Sequence, residues 1–173
     1  MKIFLIRHTS VNVPPGVCYG QTDVAVKSSF EIEAKTVSMK LQNLPAPDAV
    51  FSSPLRRCMK LAFFCGFEDV VFDNRLMELN FGDWELRRWD SLDMSAWADD
   101  WITNPPPNGE SFLEMYRRVS RFLDDMKNGD YRVVYIFAHG GVINCVRVYF
   151  GLSDMQNAFD NLANYGDVIW FEA

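Results

Sequence analysis

The sequence has few of the residues that build metal sites or disulfide frameworks. Its 173 residues include two histidines and four cysteines, and the cysteines show neither a C-x-x-C pair nor zinc-type spacing. We therefore expect free thiols, buried or half-buried, in a reducing compartment, and no metal or other cofactor. Because histidine is so scarce, the position of each one is informative.

Long apolar runs and an excess of positive charge are also missing. The apolar stretch ahead of Arg7 is four residues long, too short for the core of a signal peptide, and no run could span a bilayer. The net charge of −6 disfavours nucleic acid and anionic membranes as partners. We expect a cytoplasmic monomer or dimer that acts on a small molecule. An anionic ligand would need a local cluster of positive charge.

The length and a hydrophobic content of 49% favour one globular domain over residues 1–173. Short apolar segments typical of strands alternate with segments of helical period. This order predicts an α/β fold, a three-layer sandwich with a mostly parallel central sheet and helices on both faces. Strands are expected at residues 2–6, 49–51, 70–72, 132–138 and 167–171, and helices at 29–43, 55–64, 91–102, 112–126 and from 139 onward. Residues 86–108 are expected to form a helical insert over one end of the sheet.

Both histidines occupy the same local context, because His8 and His139 each follow a buried strand. Ligands of open parallel sheets bind outside the carboxyl ends of the strands. A single histidine at a strand end is more often structural, but two in matching positions favour function. We expect neighbouring strands to bring the two rings face to face, in a place that solvent can reach.

Arginines near these strand ends suit a phosphate ligand. Arg7 adjoins His8, and Arg56 and Arg57 lie at the start of a predicted helix. Guanidinium forks and helix N-termini both bind phosphate oxygens. A solvated pair on the helix surface is the alternative, and we favour it for Arg56.

A third group of polar residues surrounds Phe81 and Trp84. It contains three carboxylates, those of Glu78, Asp83 and Glu85. A partly desolvated carboxyl beside aromatic rings can serve as a general acid near neutral pH. The residues alone leave the choice among the three open, and one of them could cap a helix.

Taken together, four segments resemble the histidine phosphatase superfamily, the phosphoglycerate-mutase-like group. They span residues 7 to 141 in the family's order: Arg7-His8-Thr9, Ser53-Pro54-Leu55-Arg56-Arg57, Glu78 ahead of residues 81–85 (FGDWE), and His139-Gly140-Gly141. Arg-His-Gly alone would be a weak signal, whereas the ordered set is specific.

The resemblance implies a role for each matching residue. His8 would be the nucleophile that becomes phosphohistidine, and Glu78 the general acid and later base. Arg7, Arg57 and a protonated His139 would hold the phosphate. The family spacing Ser-Pro-Leu-x-Arg selects Arg57 for the site. With this much fixed positive charge, we expect that catalysis requires no metal.

The sequence departs from the family pattern around the phosphate loop. Thr9 replaces the glycine after the histidine, Ser10-Val11 replaces a frequent Glu-Thr, and Leu61 replaces a frequent threonine. The family's phosphate-contacting asparagine falls on Pro14, and Asn12 is a candidate to replace it. The five residues with implied catalytic roles are intact.

Within the family, the sequence is most similar to α-ribazole 5′-phosphate phosphatases of cobalamin nucleotide-loop assembly. The likeness lies in residues 18–23 (CYGQTD), residues 81–85, and Trp97 and Trp101 followed by residues 107–111 (PNGES). It implies that substrate binding involves Tyr19, Gly20 and Gln21. The alternatives are a broad-specificity phosphatase, a phosphoglycerate-mutase-type phosphotransferase and a catalytically dead phosphate-binding module.

Aromatic and polar residues could form a wall for a flat base such as a benzimidazole, and the alternative is that most of them belong to the core. The candidates are Tyr19, Gln21, Phe81, Trp84 and Trp89. For Trp97 and Trp101, which are four residues apart in a predicted helix, we favour the hydrophobic core.

Overall fold

The computed structural model describes residues 1–173. Its strands are β1 (Lys2–Arg7), β2 (Ala49–Ser52), β3 (Val70–Phe72), β4 (Val133–Ala138) and β5 (Val168–Glu172). Its α-helices are α1 (Phe30–Gln42), α2 (Arg56–Phe64), α3 (Ser95–Asp99), α4 (Phe112–Lys127) and α5 (Gly140–Tyr149). Single-turn 3₁₀ helices cover Asn74–Leu76, Gly82–Trp84 and Trp89–Ser91. No helix is both long and apolar enough to span a membrane.

The five strands form one sheet in the order β3-β2-β4-β1-β5. The first four run parallel, and β5 lies antiparallel to β1 at the edge. Alternate residues of a strand point to opposite faces, so this sheet builds two cores. Ile3 and Ile136 pack on one face with α4 and α5, whereas Phe4 and Tyr135 pack on the other with α1 and α2. The predicted three-layer sandwich is confirmed.

Helix α4 shows how local sequence sets these elements. Ser111 caps it by accepting a hydrogen bond from the N–H of Glu114, whose carboxylate bonds back to the N–H of Ser111. The residues at three-and-four spacing are all buried: Phe112, Met115, Val119, Phe122, Leu123 and Met126. Each such side chain contributes roughly 1.5–3 kcal/mol when it is fully buried.

The helix expected over residues 91–102 is much shorter in the structure. Only Ser95–Asp99 is helical, because Asp100 leaves the helical conformation with φ −154° and ψ 78°. Its carboxylate then accepts the N–H groups of Ile102 and Thr103. Trp97 and Trp101 therefore do not share a helical face. Elsewhere the strands and helices lie within about two residues of their predicted bounds.

The cysteines are free thiols, as predicted. Cys18, Cys58 and Cys145 are buried, and Cys65 is partly buried. Burial raises the pKa of the Cys58 thiol to about 12, so this thiol stays protonated at neutral pH.

Candidate active site

The two histidines meet because their strands are neighbours in register. Arg7 at the end of β1 pairs with Ala138 at the end of β4. The next residues, His8 and His139, therefore leave the same edge of the sheet side by side. Their ring centroids are 5.1 Å apart, with 63° between the ring planes. The predicted juxtaposition is confirmed.

The ring of His8 is held in one tautomer. Its Nδ1 lies 2.8 Å from the carbonyl oxygen of Thr9, which can only accept, so Nδ1 carries the proton. The lone pair is then on Nε2. Burial lowers the pKa of His8 well below its usual value, and the charge of Arg57 lowers it further. A neutral imidazole with its lone pair on Nε2 can attack an electrophile.

His139 is hydrogen-bonded at both ring nitrogens. Arg57 Nε–H donates to Nδ1 at 3.3 Å, so Nε2 bears the proton and donates to Ser53 Oγ at 2.8 Å. Burial lowers the pKa of His139 well below its usual value. The charge of Arg57, and to a smaller extent a charge on His8, lowers this pKa further. In this arrangement the ring is therefore neutral, because a buried ring beside a guanidinium disfavours a second positive charge. A protonated His139 beside a bound phosphate stays a prediction.

Arg57 is fully buried in the first turn of α2. Its Nη1 and Nη2 donate to the carbonyls of Thr22 and Gly20 at 3.0 and 2.6 Å. The neighbouring Arg56 instead points outward, with 74% of its side chain exposed, and pairs with Asp23 at 2.7 Å. The structure therefore separates the two arginines as predicted.

Arg7 has an unused donor at the site. Its guanidinium carbon lies 4.3 Å from the centre of the Tyr165 ring, and its Nη1 donates to the carbonyl of Ala163. Its Nε is buried and has no hydrogen-bond partner. A buried, unpaired N–H of a charged group is costly, so an anionic ligand that accepts from it would be favoured.

Glu78 faces the same edge of the sheet. Its Oε2 accepts the N–H of Gly141 at 3.1 Å, in the first turn of α5, and its Oε1 accepts the N–H of Leu79 at 2.9 Å. A Cβ at position 141 would lie 2.2 Å from Oε1, which explains the glycine there. Among the three carboxylates considered from sequence, only Glu78 lines the cavity beside Arg7.

The other two carboxylates have structural contacts. Glu85 accepts the N–H groups of Gln21 and Thr22. Asp83 accepts from the side-chain amide of Asn108 at 2.8 Å. Both therefore hold loops together, and neither lines the cavity beside Arg7.

Of the three residues predicted to bind substrate from the CYGQTD segment, only Tyr19 lines the cavity. Gly20 presents its carbonyl to Arg57, and a Cβ there would lie 1.9 Å from the carbonyl oxygen of Leu79. The Gln21 amide donates to the carbonyl of Glu78 at 3.1 Å. Substrate contact by Gly20 and Gln21 stays a prediction, and their observed contacts are with other parts of the protein. Asn12 is exposed and does not line the cavity.

A cavity of about 290 Å³ adjoins Arg7 and Glu78. Eight of its twelve lining residues are hydrophobic. Five of these are aromatic: Tyr19, Phe81, Trp89, Trp97 and Phe159. Arg7 is the only cationic residue of the lining. Such a space accommodates a flat, mostly apolar group next to an anion.

The tryptophans that line the cavity and those that lie in the core are not all the ones predicted. Trp97 lies in the cavity wall and stacks on Trp89, with ring centroids 6.5 Å apart, so its predicted place in the core is wrong. Trp84 is only 6% exposed and does not line the cavity. Trp101 packs against the core ring of Phe112 at 5.2 Å, as predicted. The early end of α3 is the cause, because it frees Trp97 and Trp101 to face different ways.

One aromatic residue without a signal in the sequence, Tyr165, packs against the ring of His8. The ring of Tyr165 lies 5.5 Å from that of His8, and its hydroxyl is hydrogen-bonded to that of Tyr19. His8 is 1% exposed and His139 is completely buried. The expectation that solvent reaches both rings is therefore wrong for this conformation. No local sequence pattern marks Tyr165, which reaches the site only through the pairing of β5 with β1.

Comparisons with known proteins agree with this geometry. A sequence profile of the histidine phosphatase superfamily (branch 1) matches residues 3–171. The adenosylcobalamin/α-ribazole phosphatase of Salmonella typhimurium is 33% identical over 156 residues, which cover 83% of this chain and 76% of that protein. A Hydrogenobacter thermophilus protein provisionally named phosphoserine phosphatase 2 is 28% identical over 169 residues, covering 90% and 83%. The crystal structure of phosphoglycerate mutase from Thermus thermophilus superposes with a TM-score of 0.78 at 28% identity, covering 98% of this chain and 92% of that one.

Proposed function

Because the chain belongs to the histidine phosphatase superfamily, we propose that it hydrolyses small phosphomonoesters through a phosphohistidine on His8. The observation that carries the proposal is the pair of buried imidazoles 5.1 Å apart, flanked by Arg7 and Arg57. In a protein of net charge −6, these two arginines form the local positive charge that a phosphate dianion needs.

In the proposed first step, Nε2 of His8 attacks phosphorus in line with the ester oxygen. The N–P bond forms as the P–O ester bond breaks, and protonated Glu78 gives its proton to the departing oxygen. Arg7 and Arg57 stabilise the equatorial phosphoryl oxygens. In the second step the Glu78 carboxylate takes a proton from water, whose oxygen attacks phosphorus. The N–P bond then breaks, releasing inorganic phosphate and neutral His8.

His139 would act as a second ligand of the phosphoryl group. Its neutral state reflects burial and the neighbouring guanidinium, both of which disfavour the cation. A phosphate dianion beside the ring acts in the opposite direction and favours protonation. The proposal therefore couples substrate binding to proton uptake at His139.

The substrate that we favour is α-ribazole 5′-phosphate. Its leaving group carries a flat aromatic base, which matches a cavity walled by Tyr19, Trp89 and Trp97. 3-Phosphoglycerate and phosphoserine carry carboxylates, and the lining offers no cation beyond Arg7 for them. A broad-specificity phosphatase is the second candidate, because the lining has few polar groups that would select a single substrate.

Substrate panels test the proposal. We expect the largest kcat/KM for α-ribazole 5′-phosphate among phosphoserine, 3-phosphoglycerate, sugar phosphates and p-nitrophenyl phosphate, with activity retained in EDTA. Equal values across the panel would establish broad specificity. Dependence on a bisphosphate primer would indicate a mutase, loss of activity in EDTA a metallophosphatase, and no turnover of any ester a binding module.

Access to His8 requires a movement of Tyr165. The segment that carries Tyr165 is held over the site by the next residue, Gly166. The N–H of Gly166 donates to the carbonyls of Arg7 and His8 at 3.2 Å. Arg7 in turn donates to the carbonyl of Ala163. A phosphoryl group that accepts from both Nε and Nη1 of Arg7 would compete with the carbonyl of Ala163 for Nη1. We therefore propose that substrate binding displaces Tyr165.

A further inference from the structure

Arg118, on α4, lies behind the loop that carries Glu78. Its Nε and Nη2 donate to the two carboxylate oxygens of Glu110 at 2.9 and 2.6 Å, and these side chains are only 18% and 17% exposed. The remaining N–H groups donate to the main-chain carbonyls of Arg75, Met77 and Glu78 at 2.7, 2.8 and 3.0 Å. All five guanidinium donors thus have an acceptor.

Glu110 holds the same loop from its other end. Its Oε1 accepts the N–H of Asn80 at 3.0 Å, and its own N–H donates to the carbonyl of Asn80 at 2.9 Å. The main chain is therefore anchored on both sides of Glu78. The Glu78 carboxylate itself bonds to the N–H groups of Leu79 and Gly141, and not to Arg118.

We propose that Arg118, paired with Glu110, is a positioning residue that aims the Glu78 carboxylate at the leaving oxygen. The inference rests on the proposed function, in which Glu78 is the general acid. A misplacement of about 1 Å can reduce a rate by about 10²-fold. Lysine carries the same charge but cannot bind five acceptors in the plane of a fork, so it separates geometry from charge.

The nature of the leaving group distinguishes positioning from general support of the fold. A poor leaving group, such as the alkoxide of glycerol phosphate, needs a proton from Glu78. p-Nitrophenolate departs with little help. A misplaced Glu78 carboxylate therefore slows phosphoenzyme formation from glycerol phosphate selectively. Damage to the whole site slows phosphoenzyme formation from glycerol phosphate and from p-nitrophenyl phosphate alike.

The experiment compares single-turnover phosphoenzyme formation in the wild type, Arg118→Lys and the matched control Arg117→Lys, which alters the exposed neighbour on the same helix. For Arg118→Lys we expect a loss of about 10- to 100-fold with glycerol phosphate and of less than about threefold with p-nitrophenyl phosphate. Arg117→Lys should match the wild type with both esters. Glu110→Gln should show the same selectivity, and it carries the test if Arg118→Lys does not fold.

Equal losses with the two esters, or no loss with either, would overturn the inference. Glu78→Gln in the same assay keeps it separate from the proposed function. If the wild type forms no phosphohistidine, or Glu78→Gln shows no dependence on the leaving group, the proposed function fails. If both behave as expected and the folded Arg118 and Glu110 variants show no selectivity, only the role of Arg118 fails.

Discussion

The phosphate-binding side of the site and the aromatic cavity beside it are built in different ways. His8, Arg57 and His139 follow strands of the sheet or start the helices after them, and they are almost completely buried. The aromatic part of the cavity wall comes from loops and short helices spread along the chain: Tyr19, Phe81, Trp89, Trp97 and Phe159. The reacting side chains are therefore held by the rigid sheet, whereas the space for the leaving group is formed by segments that tolerate change.

The sharpest test of the sheet side is His8→Ala. Removal of the nucleophile should abolish phosphoenzyme formation and lower kcat by about 10⁴-fold or more, because the covalent route is lost. Trapping of ³²P-labelled enzyme under alkaline conditions measures the first effect, and steady-state assays measure the second. The control is Arg56→Ala, which removes a nearby exposed cation and should leave turnover within about twofold. Wild-type turnover by His8→Ala would refute the nucleophile.

The boundary between the two regions is tested at Tyr165. Tyr165→Ala should speed carbethoxylation of His8 by roughly 10- to 100-fold, because an open state populated at a few per cent would become dominant. The protein has only two histidines, so a Tyr165→Ala variant that also carries His8→Ala assigns the signal. Tyr165→Phe keeps the ring and loses only the bond to Tyr19, and it should lie between the two. Identical rates in the wild type and Tyr165→Ala would show that the ring does not control access.

The cavity side is tested by Trp97→Ala. We expect kcat/KM for α-ribazole 5′-phosphate to fall about 10-fold, in line with the roughly 1–3 kcal/mol of base stacking on an aromatic side chain. Turnover of glycerol phosphate should change by less than about twofold. Trp101→Phe, in the adjoining core, is the matched control and should affect neither substrate. A similar loss with both substrates would mean that Trp97 supports the fold instead of the leaving group.

The smallest effect concerns acid stability of the sheet side. The folded-state pKa values of His8 and His139 are lowered below 6.5, so below that pH the unfolded chain binds protons that the native protein does not. The free energy of unfolding should therefore fall as the pH drops from 6.5, by up to about 1.4 kcal/mol per pH unit for each histidine. Urea unfolding between pH 7 and 5 measures this. A variant with His8→Gln and His139→Gln should show a flatter dependence, and an unchanged slope would contradict the lowered pKa values.

Much of the fold and part of the site could be predicted because they depend on neighbours in the chain. A short, continuous apolar run defines a buried strand such as β1, and the capping residue and apolar stripe define α4. A polar residue directly after a buried strand lies at the ligand-binding edge of a parallel sheet, so the sequence marks His8 and His139 as candidate site residues. Arg118 also had a signal in the sequence, since it lies three residues after Met115 and four before Phe122, beside the apolar stripe.

Local sequence patterns thus predicted the strands, every α-helix except α3, and the two histidines at the edge of the sheet. Contacts between distant segments place Glu78, and neither of the other two carboxylates, in the cavity beside Arg7. They also bring Trp97 and not Trp84 to that cavity, and Tyr165 against His8. Arg57 and Ser53, which come from another part of the chain, also set the neutral tautomer of His139. The physical reason is that local patterns report on hydrogen bonds and burial within one element. Access, side-chain direction and charge state depend on contacts between elements far apart in the chain.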